Sequence, residues 1–295
     1  MTSYLESMEP RWGSVEGGTK IKFTTSFLST KSASDVQVLI DGIECDVTLA
    51  MNTAIECTTR PRPGEYLDDP TLEIFIQGRG KLDSREMVFR YASLWSQSST
   101  WGGKFAPVDG ESVVVPKGLN LMVDIDHSPE LDLVLVDGGS IIFPRDADPN
   151  HHRTFDARAI MIHNGIFEAG TEDEPYTSKL TITMHGKKYE KNIPIYGNKV
   201  LGVRYSTLDI HGEPRTSWTS LDSTISPGEN TLTLVEEVDW KAGEKIMITS
   251  TSYDRYETEE LIIDSVVNAA GKTTITVKGK FAHRHYAGVQ TYGSD

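Results

Sequence analysis

Between residues 93 and 212 the chain repeats one device: a short apolar run closed by a tight glycine turn, with almost no helical period. Asp137-Gly138-Gly139 and Asn164-Gly165 are two of these turns, and the runs around them predict strands over 133–136, 141–143, 160–162, 166–167, 180–184 and 208–210. Strands this short cannot bury their own apolar faces. Stacked on like neighbours they can, which is how a parallel β-helix or other solenoid is built. An antiparallel sandwich competes with that reading, because Asp-Gly and Asn-Gly are also hairpin signals.

A chain of 295 residues ordinarily makes two domains. Residues 1–92 read as a separate small β-domain. Strands are expected over 21–24, 36–40, 72–76 and 87–91, with turn material at Gly17-Gly18, Asp41-Gly42 and residues 61–64. That spacing suits an immunoglobulin-like sandwich. No run of apolar residues is long enough to span a membrane, so no direct membrane insertion is expected of this segment. The start, MTSYLESMEP, lacks the pattern of a signal peptide, and the polar end, GVQTYGSD, reads as a cut taken from something longer. The net charge of −14 leaves no cationic footprint for nucleic acid. It also weighs against an anionic polysaccharide, although a local basic cleft can act on an acidic background.

The wording of the chain resembles known domains. MEPRWGSVEGGTKIKF, VLIDGIECDV and VFRYASLWS are similar to an IPT/TIG domain. WSQSSTWGG, VVVPKG, VDGGSIIF, AGTEDEP and TITMHG, in that order, resemble the eight-glycine (G8) domain of fibrocystin-like proteins and of hyaluronan-degrading cell-migration proteins. SWTSL, VDWKAGEKIMITST and KFAHRHYAG resemble the segment that follows it in fibrocystin-like chains. The resemblance implies an all-β chain: an immunoglobulin-like sandwich over 1–92, then a right-handed parallel β-helix-like G8 domain with its following segment over 93–295, truncated at the C-terminus. It also implies an extracellular or cell-surface setting within a longer protein. Cys45 and Cys57 lie on adjacent strand candidates, where two buried thiols and a disulfide are both open readings. The oxidising setting of the family favours the disulfide.

All eight histidines follow residue 126. His151-His152 occupies a polar loop. His283 and His285 stand at i and i+2, so in a strand both rings would face one side, as shared ligation or acid-base work requires. His185 and His211 each precede a glycine at a strand end. Asp124 and Asp126 share a strand face. Glu172, Asp173 and Glu174 form an acidic loop whose ordinary role is a charged turn; calcium is the cofactor such a loop could take, and no other is implied. Trp95 and Trp101 mark the domain junction, Trp218 and Trp240 begin strand turns, and Trp12 lies near the first strand, where an inter-domain or core role is the expectation. No nucleotide-binding glycine loop and no serine-nucleophile elbow occurs.

Two functions follow. In the first, the chain is a non-catalytic segment of a large extracellular protein, binding a protein or glycan partner. In the second, it is part of a hyaluronidase-like or pectate-lyase-like enzyme, for which Arg204, Asp209, His211, Arg215, Asp254, His283 and His285 are the candidate catalytic residues. The acidic balance and the lack of a catalytic motif favour the first.

Overall fold

The structure is a computed structural model that describes residues 3–28, 32–62, 70–190, 192–289 and 293. The chain forms two compact units, Met1–Glu213 and Pro214–Asp295.

The first unit begins with β1 (Leu5–Glu9), β2 (Trp12–Ser14), β3 (Lys20–Thr25), β4 (Val36–Ile40), β5 (Ile43–Met51), β6 (Ala54–Thr58), β7 (Leu72–Ile76) and β8 (Gly80–Lys81). Except for β2, these pair antiparallel in the order β1-β3-β6-β5-β4-β7-β8. The long β5 joins the two halves. Residues 43–45 pair with β4, and from Asp46 on the strand pairs with β6, with a bulge between Val47 and Leu49. Alternation sends one face inward: Ile21, Phe23, Val38, Ile40, Ile55 and Ile74 meet in one core and are almost fully buried. Cys45 and Cys57 close a disulfide inside that core, with Cα atoms 5.7 Å apart and each residue 1% exposed. The expected strands at 36–40 and 72–76 are found at those residues. The strand expected at 87–91 is β9 (Arg90–Leu94), shifted toward the C-terminus. The turn expected at 61–64 lies partly outside the described residues.

β9 does not end the small domain at a linker. It is a member of an all-parallel sheet in the order β18-β15-β13-β11-β9-β2, where β11 is Asn120–Met122, β13 Ser140–Ile142, β15 Ile166–Ala169 and β18 Thr207–Ile210. The intervening strands, β10 (Ser112–Pro116), β12 (His127–Asp137), β14 (His152–His163), β16 (Lys179–Met184) and β17 (Leu201–Arg204), form a second parallel sheet. From β9 to β15 consecutive strands alternate between the two sheets, and each from β9 to β14 pairs with the strand two places on, while β15 pairs with β18. Between the sheets lie Val113, Val115, Val134, Val136, Ile160 and Ile162, with Trp95, Phe155, Phe143 and Phe167 in edge-on or tilted contact at 5.2–6.2 Å. Buried Arg153 bridges this core, donating to the carbonyls of Ile125 and Pro144 and to the Tyr176 hydroxyl.

The glycine turns lie where the backbone of one strand connection closely approaches that of the next. Gly138 and Asn164 both have positive φ and stand at equivalent places, since Asp137 pairs with His163 and His163 with Arg204. A Cβ at Gly139 would meet the carbonyl oxygens of Pro116 and Leu119, and one at Gly165 would meet the carbonyl of Gly139. The glycines are therefore required by close backbone approach.

In the second unit, β19 (Thr231–Leu234), β20 (Lys245–Ile248), β21 (Glu259–Ala269) and β22 (Lys272–Lys278) form an antiparallel sheet, ordered β19-β22-β21-β20, over a core of Ile225, Leu232, Ile263, Ile275, Val277 and Phe281. The expectation that parallel stacking would continue to residue 295 is corrected here. β21 and β22 are joined by Ala270-Gly271 alone, both at positive φ. Because β21 and β22 pair directly with each other, so short a link makes them antiparallel; direct parallel pairing needs a crossover of a dozen or more residues.

Candidate functional site

The principal cleft of the first unit, about 730 Å³, is lined by both of its parts. β1 and β2, with the turn between them, bring Glu9, Arg11 and Trp12; β3 brings Lys22 and β9 brings Arg90. The parallel sheets and their loops bring Arg145, Glu168 and Glu174, over an apolar floor that includes Leu94, Met122 and Phe143. Its volume lies in the range of small-ligand sites.

The polar groups are tied across the cleft. Trp12 Nε1 donates to Glu168 Oε1 at 2.8 Å. Arg11 Nε donates to Glu174 Oε1 at 2.9 Å, with Asp173 3.7 Å from the same guanidinium. Arg145 lies 3.6 Å from Glu9. The Arg90 guanidinium sits 5.5 Å from the centroid of the Trp12 ring, a cation–π arrangement. Burial pushes the Glu168 carboxyl up from the ordinary carboxylate range, against the hydrogen bond from Trp12 and the charge of Arg90, while the neighbouring Asp209 pushes it further up. Burial likewise raises Glu174, against the charge and hydrogen bond of Arg11.

The acidic loop at 172–174 thus has a partner that sequence alone did not assign: Glu174 holds the small β-domain to the parallel sheets through Arg11. Trp12 takes the inter-domain position expected of it. Trp95 and Trp101 pack edge-on at 5.0 Å, with Trp95 in the core between the parallel sheets. Arg11, Lys22, Arg90, Arg145 and Glu168 were not singled out by any spacing, because register brings them together over more than 150 residues.

The seven catalytic candidates divide between the two units. In the first, Arg204 is exposed beside the Tyr205 ring, and His211 Nε2 lies 3.7 Å from Asp209 Oδ1. In the second, Arg215 is spent on Asp239 at 2.8 Å and on Glu244 at 2.7 Å. Asp254 accepts the Tyr256 N–H at 2.9 Å, capping a short 3₁₀ turn. His283 and His285 do not share a strand face, since neither lies in a β-strand. His285 is fully buried, bonded to the Thr249 carbonyl at 3.0 Å and to Glu259 at 2.9 Å, whereas His283 is partly exposed. His151 lies between Asp126 and Asp146, 3.2 Å from each. Among the described residues no group of three His, Cys, Asp or Glu side chains is arranged to hold a metal ion, and none of the helices is long and apolar enough to cross a membrane.

Two domain families match the chain, both mainly within the first unit, and the second match runs a few residues past its end. The IPT/TIG domain family matches residues 3–91 and the G8 domain family residues 100–222. Mouse fibrocystin-L is 34% identical over 286 residues, covering 96% of this chain. The chain is fibrocystin-like, a TIG domain followed by a G8 domain. Human fibrocystin-L is also 34% identical, over 97% of the fibrocystin-like chain, and mouse fibrocystin is 32% identical over 84% of it. The chain spans 6%, 7% and 6% of the lengths of these three relatives, in the order named. Among solved structures, the plexin A4 full extracellular region aligns over 32% of this chain and 7% of its own, at 22% identity and a TM-score of 0.27. That likeness is too slight to carry an argument.

Proposed function

We propose that this chain is a non-catalytic recognition segment of a large extracellular or cell-surface protein, in which residues 1–92 and the G8 domain present one cleft to a protein or glycan partner. The observation that carries this reading is the six-stranded parallel sheet that takes in both β2 and β9. It makes the small domain a wall of the cleft. The two parallel sheets are read as the rungs of a right-handed β-helix, a stiff platform for such a site. The disulfide suits an oxidising compartment.

The enzyme alternative has less support. Arg215, Asp254 and His285 are already engaged in structural bonds, and glycoside hydrolysis needs two carboxyl groups held free across a sugar. Incubation with high-molecular-weight hyaluronan and with pectate, with and without calcium, tests the choice by size-exclusion chromatography. Unchanged polymer is expected. Shortening that is lost in His211→Ala or Arg215→Ala would overturn the proposal.

A further inference from the structure

The carboxylates of the cleft are spent inward. Glu174 is bound to Arg11 and Glu168 to Trp12, and Asp124 accepts the N–H and hydroxyl of Ser96. Asp146 accepts the Asp148 N–H and faces His151. The cations are not spent in the same way. Among the described residues Arg90 and Lys22 have no carboxylate within ion-pair distance, and Arg145 reaches only Glu9, at 3.6 Å. Arg90 lies over the Trp12 ring and lines both the main cleft and a smaller pocket of about 190 Å³ beside it. A cation–π contact at 5.5 Å does not consume the N–H groups of the guanidinium as an ion pair would. In a chain of net charge −14, internal pairing thus leaves Arg90 and Lys22 without a carboxylate partner among the described residues and Arg145 on the exposed Glu9 alone, in one cleft with Trp12 and an apolar floor.

We propose that this cleft binds a sugar residue bearing a single carboxylate. The inference rests on the reading of the segment as a recognition module and names what it recognises. The carboxylate would take the N–H edge of Arg90, the planar donor best matched to it, with Lys22 or Arg145 alongside. Hydroxyl groups both donate and accept, and so suit a wall that mixes Thr19, Ser14 and the remaining oxygens of Glu168 and Glu174. An acidic peptide segment carries several like charges and would meet Glu9, Asp146 and Glu174. A sugar acid brings one charge on a scaffold that is otherwise neutral.

The test titrates the whole chain with 3′-sialyllactose and methyl β-glucuronide, each beside its neutral twin, lactose and methyl β-glucoside, and with N-acetylaspartate amide as a peptide carboxylate. The readouts are calorimetry and the indole N–H resonance of Trp12. At least one sugar acid should bind about tenfold or more tightly than its neutral twin, with affinity falling as salt is raised. Arg90→Gln should remove most of that preference, and the surface changes Lys22→Gln and Arg145→Gln should each weaken it at an unchanged melting temperature. Equal binding of acid and neutral sugars, or no shift of the Trp12 resonance with either acid in folded protein, overturns the assignment. A response to the peptide carboxylate alone also overturns it while leaving the recognition reading intact. Polymer shortening, by contrast, overturns the recognition reading.

Discussion

Trp12 and Glu168 stand 156 positions apart in sequence and meet at 2.8 Å, indole N–H to carboxylate. Trp12 is in β2, at one end of the six-stranded parallel sheet, and Glu168 is in β15, four strands along in its order. Neither group is fully exposed, so each depends on the other: the indole needs an acceptor and the carboxyl a donor. With Arg11 on Glu174 and Ser99 on Glu16 at 2.9 Å, the bond ties the TIG part to the G8 part by side chains as well as by shared strand pairing.

Trp12→Phe keeps most of the ring and removes the donor. The half-buried Glu168 then loses its hydrogen bond, which costs about 1–3 kcal/mol for a buried polar group left unsatisfied. A lower transition temperature in scanning calorimetry, with the native circular dichroism spectrum retained below it, is the expected outcome. An unchanged transition would mean that water replaces the indole.

The direction of the Glu168 shift fixes a pH dependence. Burial raises the carboxyl in the native state above the value of about 4.3 expected when unfolded, so the native state binds the proton more tightly. The stability contributed is fully present below the unfolded value and is lost as pH rises through the folded one. Glu168→Gln keeps an acceptor for Trp12 and cannot ionise. The substitution should therefore raise the melting temperature relative to the parent chain at pH 7.5, and the gain should vanish near pH 4. Glu174 shifts in the same direction, so some slope remains in the variant.

Much of the architecture is legible in residue order, because turn chemistry is local. Asp137-Gly138-Gly139 and Asn164-Gly165 announce turns, at which the chain passes from one parallel sheet to the other, and the strands expected around them lie within or overlap β12, β13, β14 and β15. The antiparallel second unit was less legible, since its short apolar strands look like further rungs. Its two-residue link Ala270-Gly271 is no shorter than Gly138-Gly139 or Asn164-Gly165, which join strands of two different parallel sheets, so loop length does not separate the two arrangements. The cleft was not legible at all. Arg11 and Glu174 are 163 positions apart, and nothing near either names the other. Arg215, chosen for its place after the glycine-rich core, and His285, chosen for its i and i+2 spacing with His283, are candidates whose hydrogen-bonding groups the fold had already engaged.

Cys45 and Cys57 close a loop with a sequence separation of 12 inside the TIG core. In the chain-entropy account such a crosslink stabilises by about 2–3 kcal/mol. Replacing both with alanine should lower the guanidinium midpoint accordingly, with a further loss from the two vacated buried sites. Because each cysteine is 1% exposed, a reductant should release thiols only under conditions that open this core. Thiol titration with and without denaturant measures that difference.

Two glycines separate the reasons a turn can demand glycine. Gly118 has φ +83 and open space around its Cα, so Gly118→Ala meets only the left-handed backbone penalty, about 1–2 kcal/mol. Gly139 has no such φ, yet an added Cβ would run into the carbonyl oxygens of Pro116 and Leu119. Those are backbone atoms at the turn between β10 and β11 and cannot swing aside. Gly139→Ala must push neighbouring strands apart along β10, β12 and β14, straining the parallel pairing over several residues. It should lower the melting temperature more than Gly118→Ala and raise amide exchange at Val134, Val136, Ile160 and Ile162. Equal effects of the two substitutions would show that the parallel strands yield, and that glycine at 139 answers only to local turn geometry.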